Sequence, residues 1–395
     1  MKKVFVLFIL VLFSCYNLSA IDWNITGAGA RAAGMGGAFI GVADDATAIT
    51  WNPAGLTQLY RPEVSLVTRY ILENYKYESS YYDGSADNQS HFIVNFASAA
   101  YPLLDGRIVA AIAFQKQLDW YSGWDSDEDE TADGGANTII PGIAVRVLPI
   151  LSIGFSTNIW MGNSVKETSD FYYGFEDNIE RTITFSGFNM AFGLMADLNN
   201  LQNPIPLKMG MMMKTPFDLG VEVDADYENY PDLNYKNTVD MPIMMGFGVS
   251  LRIGDNLTVS TDYEIRAYGN SKINYDLGGT SNLSDNETNL NQIRVGTEYL
   301  IVSDFAVIPL RVGFKTVPTL RANGEGPPEY WEYKDQVVGT GFSFGTGLIF
   351  EKIAIDATGE LTTTIEEWED WPVYGESESG TNTKFKATLS CVFYF

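Results

Sequence analysis

Period-two alternation runs through almost the whole chain, with one apolar face and one face that carries charge. The last residues show it most clearly: Phe385, Ala387, Leu389, Cys391, Phe393 and Phe395 alternate with Lys384, Lys386, Thr388, Ser390 and Tyr394, with Val392 the one apolar residue out of place. Leu257, Val259, Tyr263 and Ile265 alternate in the same way with Thr258, Ser260, Asp262, Glu264 and Arg266. Met245, Phe247, Val249 and Leu251 alternate with Gly246, Gly248, Ser250 and Arg252. This is the spacing of β-strands. A single apolar face also suits a soluble sandwich. Charge on the opposite face, repeated over many segments, is instead the lipid-out, polar-in pattern of an outer-membrane barrel. Past the N-terminus no run approaches the roughly 18–20 continuous apolar residues of a membrane-spanning helix.

The N-terminus reads as a secretory signal peptide over residues 1–20. Lys2 and Lys3 precede an apolar run from Val4 to Phe13, and Leu18-Ser19-Ala20 supplies a small-residue exit, with cleavage expected after Ala20. A rival reading makes Cys15 a lipid acceptor, which bulky Phe13 two residues upstream fits poorly. After cleavage Cys391 is the only cysteine, so no intrachain disulfide is expected.

Strand-like segments fall near 61–78, 89–101, 107–121, 138–148, 151–162, 181–197, 205–219, 238–253, 256–272, 287–301, 305–317, 336–349, 352–368 and 381–395. That makes fourteen, an even number, as a single-chain barrel with both ends on one side requires. The connections alternate in length. Tight turns such as Leu104-Asp105-Gly106 and Gly254-Asp255-Asn256 face long polar stretches near 79–88, 122–137, 163–180, 220–237, 273–286, 318–335 and 369–380. Short periplasmic turns opposite long extracellular loops are the rhythm of such barrels. The fold expected is all-β: a fourteen-stranded antiparallel transmembrane barrel over residues 61–395 in a bacterial outer membrane, in contact with its lipid.

Composition removes most other functions. With 25 Lys+Arg against 50 Asp+Glu, the formal net charge is −25, which argues against nucleic acid as a partner. One histidine (His91) and two cysteines leave little for a zinc site or a Cys-His nucleophile, and no Ser/His/Asp constellation is visible. Neither enzyme activity nor a cofactor is expected. The Gly27–Gly37 region matches no complete nucleotide fingerprint. The acidic loop 125–133 has Glu130 where a calcium-binding EF-hand loop needs glycine, so a solvated loop is preferred to a metal site.

Residues 21–60 are too long and too rich in Gly and Ala for a turn. A barrel of this strand number is too wide for wall side chains to fill, and a compact segment ahead of it suits a plug. Acidic Asp44 and Asp45 stand where a short helix would begin, and Pro53 stands at a possible first helical position. The run from Gly34-Met35-Gly36-Gly37-Ala38 through Ala43-Asp44-Asp45-Ala46 to Asn52-Pro53-Ala54-Gly55-Leu56 resembles the N-terminal hatch of the FadL family, outer-membrane transporters for long-chain fatty acids and, in the TodX branch, aromatic hydrocarbons. Met241-Pro242-Ile243 leading into Gly246-Phe247-Gly248-Val249, Asp262-Tyr263-Glu264, Leu310-Arg311-Val312-Gly313-Phe314-Lys315 and terminal Phe395 are similar as well.

The resemblance implies a hatch over 21–60 and passive uptake of a hydrophobic small molecule by a monomer. Gly34, Gly36, Gly37, Asn52, Pro53 and Ala54 would be the gating residues. Phe39, Trp51, Leu56 and Met212 are candidates to meet the solute; Met212, in the Met209–Met213 run, suits filler for a lipid-facing or plug-facing surface equally well. PorV-like proteins share the fold but serve a secretion apparatus, and a surface adhesin is a further alternative. The charges on the polar face (Arg252, Asp262, Glu264, Arg266, Arg294, Glu298, Arg311, Lys315, Asp356, Glu360) are expected to pair with one another and with the hatch rather than to line a path, because charge facing lipid is costly.

Overall fold

The computed structural model describes residues 27–395 apart from 80–84, 126–128, 173–174, 229–230, 277, 286, 326–331 and 370–376. The signal peptide, its cleavage after Ala20 and the fate of Cys15 lie outside the described residues, as do the side chains of the acidic run 125–130.

Alternating sequence becomes an alternating wall. Fourteen antiparallel strands close on themselves among the described residues. They are β1 (Glu63–Ser79), β2 (Ser85–Leu103), β3 (Ile108–Lys116), β4 (Asn137–Leu148), β5 (Leu151–Met161), β6 (Phe175–Asp197) and β7 (Leu207–Lys214). They continue as β8 (Met244–Ile253), β9 (Leu257–Arg266), β10 (Leu290–Val302), β11 (Val307–Glu325), β12 (Glu332–Ile349), β13 (Ile353–Glu369) and β14 (Ser377–Tyr394). Each pairs with the next, and β14 returns to β1 from Glu63↔Tyr394 to Ser79↔Glu378, which leaves no open edge in lipid. On β14 the two faces separate as the pattern requires: Leu389 is 50% and Phe393 46% exposed, whereas Thr388 is 3% and Ser390 5%. No helix among the described residues is long and apolar enough to cross a membrane.

Aspartate at both Phe393 and Phe395 is therefore expected to prevent insertion, because it puts charge on the lipid face of the strand that closes the barrel. The check is the faster gel migration of unboiled over boiled protein. Its retention in the double variant would show that the faces are misassigned.

Several stretches that read as long polar loops are strands. Ser122–Asp125, Asp129–Gly134, Asn163–Tyr172, Phe217–Tyr227, Leu233–Met241, Lys272–Asn274 and Thr280–Asn282 pair into a second sheet that carries part of the wall beyond the membrane. The expected strands 205–219 and 238–253 are each split, at Pro216 and at Pro242, where the missing N–H interrupts the ladder. Beyond these breaks the two faces exchange roles. Leu219, Val221, Val223 and Ala225 are all under 5% exposed and point inward, where the first three join Trp160, Phe185, Val239 and Tyr268 in an apolar cluster. Water now lies outside, so Asp218, Glu222, Asp224 and Asp226 take the other face.

The N-terminal segment fills the lumen. It contains α1 (Ala30–Gly34), α2 (Ala48–Trp51) and a 3-10 helix from Pro53 to Gln58. The first helix packs against β11–β14 and the 3-10 helix against β3–β6, so the segment spans from one arc of wall to another. Its Ala, Ile and Leu side chains form the main apolar core with Phe96, Ile140 and Met195 of the wall.

Candidate functional site

The interface between the N-terminal segment and the wall is built on glycine. A Cβ placed on Gly313 would lie 1.9 Å from Gly36 N, and one on Gly193 would lie 2.3 Å from Asn52 Oδ1. Only hydrogen at Cα lets two backbones come this close. Gly154, Gly210, Gly248 and Gly296 stand in the same relation to Pro53, Ile40, Gly41 and Met35, which makes a belt of contact round much of the wall.

Asn52 ties the segment both to itself and to the wall. Its Oδ1 accepts from Ala54 N at 3.2 Å and so caps the 3-10 helix that Pro53 starts. Its Nδ2 donates to Ile40 O and, across to the wall, to Leu194 O, both at 3.1 Å. Asn52→Ala removes these three bonds, a loss of about 2–4 kcal/mol at roughly 1 kcal/mol per net bond. The wall ladder is untouched, so the barrel is expected to assemble while trypsin cuts the segment severalfold faster. An unchanged cleavage rate would contradict this role.

Gly34, Gly36 and Gly37 lie apart from Asn52-Pro53-Ala54, against β10, β11 and β12. Gly36 N donates to Ser343 Oγ at 3.1 Å, and Gly36 and Gly37 have φ of +64° and +79°, which favours glycine. The six candidate gating residues thus form two docking points rather than one cluster.

Charge holds the segment from the polar face. Arg31 makes a two-pronged contact with Glu298 at 2.9 Å each and also bonds Asp44. Glu298 continues to Arg311 at 2.7 Å, and Arg311 to Asp356 at 2.6 Å. Asp262 Oδ2 accepts from Phe39 N at 2.7 Å and Ile40 N at 2.8 Å. Burial alone would lower the Arg31 pKa, but Asp44 and Glu298 outweigh it and hold the guanidinium charged well beyond its ordinary range. Burial pushes the Asp45 carboxyl up, against the pull of Arg31. The polar-face charges pair with one another and with the segment, as expected. Arg252 is different: it is exposed at the β8–β9 turn and bonds Asp255 O. His91 bonds Asp119 at 2.5 Å and stacks on Tyr121.

Among the described residues the lumen contains an inner and an outer cavity. The inner one, of about 50 Å³, lies over Gly29, Gly36, Gly37 and Trp51 and is walled by Arg69, Arg294, Lys315, Lys386 and Glu360. Lys315 bonds Glu360 at 2.8 Å, and Lys386 stands opposite Glu360 in the β13–β14 register. The outer one, of about 40 Å³, is lined by Trp160, Phe217, Met241, Met244 and Tyr268, with Lys214 and Arg266 at its edge. Trp160 packs on Phe217 with ring centroids 5.1 Å apart. Both are far below the roughly 300–1,000 Å³ of a typical ligand site.

Of the four candidates to meet a solute, Trp51 lines the inner cavity, under Arg294 and with its Nε1 on Ala28 O. Phe39 packs edge-on to Trp51, Leu56 is inside the apolar core, and Met212 packs with Ile40 and Met244. Arg69, Lys386, Trp160, Phe217 and Tyr268 were not singled out by sequence. The available signal was Arg69 and Lys386 on polar faces and Phe217 beside Pro216.

A family model described as outer membrane protein transport protein (OMPP1/FadL/TodX) matches residues 18–277. Among solved structures, a Pseudomonas aeruginosa FadL homologue superposes with a TM-score of 0.71 at 12% identity, covering 94% of this chain and 99% of that one. The P. putida toluene transporter TodX gives 0.63 at 13% identity, with 94% and 99% covered. The Ralstonia pickettii toluene transporter TbuX gives 0.60 at 15%, with 94% and 100% covered. At such identities the likeness is one of fold. No curated protein matches the chain.

Proposed function

Since this chain belongs to the OMPP1/FadL/TodX family of outer-membrane transport proteins, we propose that it admits hydrophobic small molecules passively, and that its solutes are amphiphiles with an anionic head, long-chain fatty acids above all. The observation that carries the choice is the inner cavity. In a chain of net charge −25, the space directly over the N-terminal segment is walled by four cations and one carboxylate. A carboxylate head is recognised by such a wall; a neutral aromatic hydrocarbon has no use for it.

The sequence of events follows from what lies along the lumen. The apolar cluster of the outer sheet and the aromatic outer cavity take up an acyl chain and exclude water from it. The head is drawn to Lys214 and Arg266, then to Arg294, Lys315, Lys386 and Arg69. The cavities are too small for a whole acyl chain, so passage requires residues 21–60 to act as a hatch that shifts at its two docking points. Gradient and partitioning suffice as the driving force.

The reading is tested by equilibrium binding of dodecanoate and dodecanol, which share a chain and differ in the head, together with mass spectrometry of lipids retained through mild detergent purification. Tighter dodecanoate binding and retained fatty acids are expected. Equal affinities would remove the case for an anionic head.

A further inference from the structure

An arginine of each cavity bonds the same carboxylate. Glu264 Oε2 bonds Arg294 at 3.0 Å, and Oε1 bonds Arg266. Arg294 lines the inner cavity and Arg266 the outer one. All three side chains are at most 4% exposed, and Lys214 adds a third cation within electrostatic reach of Glu264. The other acid here, Asp262, is engaged through Oδ2 by Phe39 N and Ile40 N. Gln292 Oε1 accepts from Arg294 and fixes the guanidinium in its plane. A side-chain carboxylate therefore sits where a carboxylate from outside, moving from one cavity to the other, would find both arginines.

We propose that Glu264 is an internal stand-in for the solute's carboxylate, which holds the Arg266–Arg294 pair while the lumen is empty and is displaced as an anionic head passes inward. This rests on the anionic-solute reading above. Exchange of one carboxylate for another keeps one carboxylate oxygen on each guanidinium, which spares the cost of withdrawing that partner from a buried charge. Competition from Glu264 also keeps the head from binding too tightly to leave. The residue thus sets both selectivity and release: a neutral head does not displace it.

Glu264→Gln keeps the shape and removes the competitor. Dodecanoate is expected to bind about tenfold more tightly to purified E264Q barrels, dodecanol to bind as before, and dodecanoate uptake to slow because release becomes limiting. Unchanged or weaker dodecanoate binding by an assembled E264Q barrel would overturn the proposal. A measurement on the unaltered protein does not depend on the variant folding: carbodiimide-driven coupling of glycine ethyl ester to Glu264, read by peptide mass spectrometry, is expected to rise severalfold on saturation with dodecanoate and not with dodecanol. No rise at saturation would also overturn it. If the unaltered barrel shows no preference for dodecanoate over dodecanol, the anionic-solute reading itself falls. If the preference holds while both Glu264 measurements stay flat, only the stand-in role falls.

Discussion

Barrels with leucine at both Gly193 and Gly313 are expected to assemble normally and to leak. Both substitutions face the lumen, so neither the lipid face nor the wall ladder is disturbed. At Gly313 the first added carbon would fall 1.9 Å from Gly36 N, and at Gly193 it would fall 2.7 Å from Ala54 N. These neighbours are backbone and have no flexible end to swing away. Overpacking of this kind costs about 1–3 kcal/mol at each site, and the two sites are the two docking points of the N-terminal segment. Once undocked, the segment leaves a fourteen-stranded lumen that side chains alone do not fill. Permeability of proteoliposomes to small hydrophilic sugars, read by swelling rate, is expected to rise by about an order of magnitude, and deletion of residues 27–56 is expected to do the same. Unchanged swelling in both would show that the segment does not seal the pore.

Methionine at Lys315 and Lys386 together is the second large effect. The two lysines face Glu360 from β11 and β14, and Arg69 lies within electrostatic reach of it. Removing two charges of the four-cation wall, at roughly 1.5–3 kcal/mol for each charge-assisted contact a carboxylate would make, is expected to weaken dodecanoate binding by at least tenfold. Dodecanol binding is expected to stay within twofold, since the acyl path is unaltered. Equal losses for acid and alcohol would mean that the lysines act through barrel structure and not through the solute's head.

Much of this architecture is written in local pattern. Strand number, the closing strand and the plug show in the sequence because lipid forces one rule, apolar out and polar in, on every crossing segment. The same rule misleads above the membrane. Val221, Val223 and Ala225 alternate with Glu222, Asp224 and Asp226 as well as any strand, but with the faces reversed, and the acidic composition makes the stretch resemble a loop. The Asn52-Pro53 start of a helix is legible because capping is local. What Asn52 reaches across to, Leu194 O, is not. The basic cavity is hidden for a simpler reason. Arg69 lies on β1 and Lys386 on β14, and closure of the barrel sets Ile71 opposite Lys386 in the register of the seam. Residues more than three hundred positions apart become neighbours only when the last strand meets the first. Wall glycines such as Gly193 and Gly313 look like weak points of their strands until the backbone they admit is in place.

The most direct test of the central claim is the uptake of radiolabelled oleate by bacteria that lack their own outer-membrane fatty-acid transporter and express this chain. Uptake well above that of the empty strain, saturable, competed by dodecanoate more than by dodecanol, and reduced by methionine at Lys315 and Lys386 is the expected result. Uptake equal to the empty strain, from a barrel shown to be assembled in the outer membrane, would contradict the account.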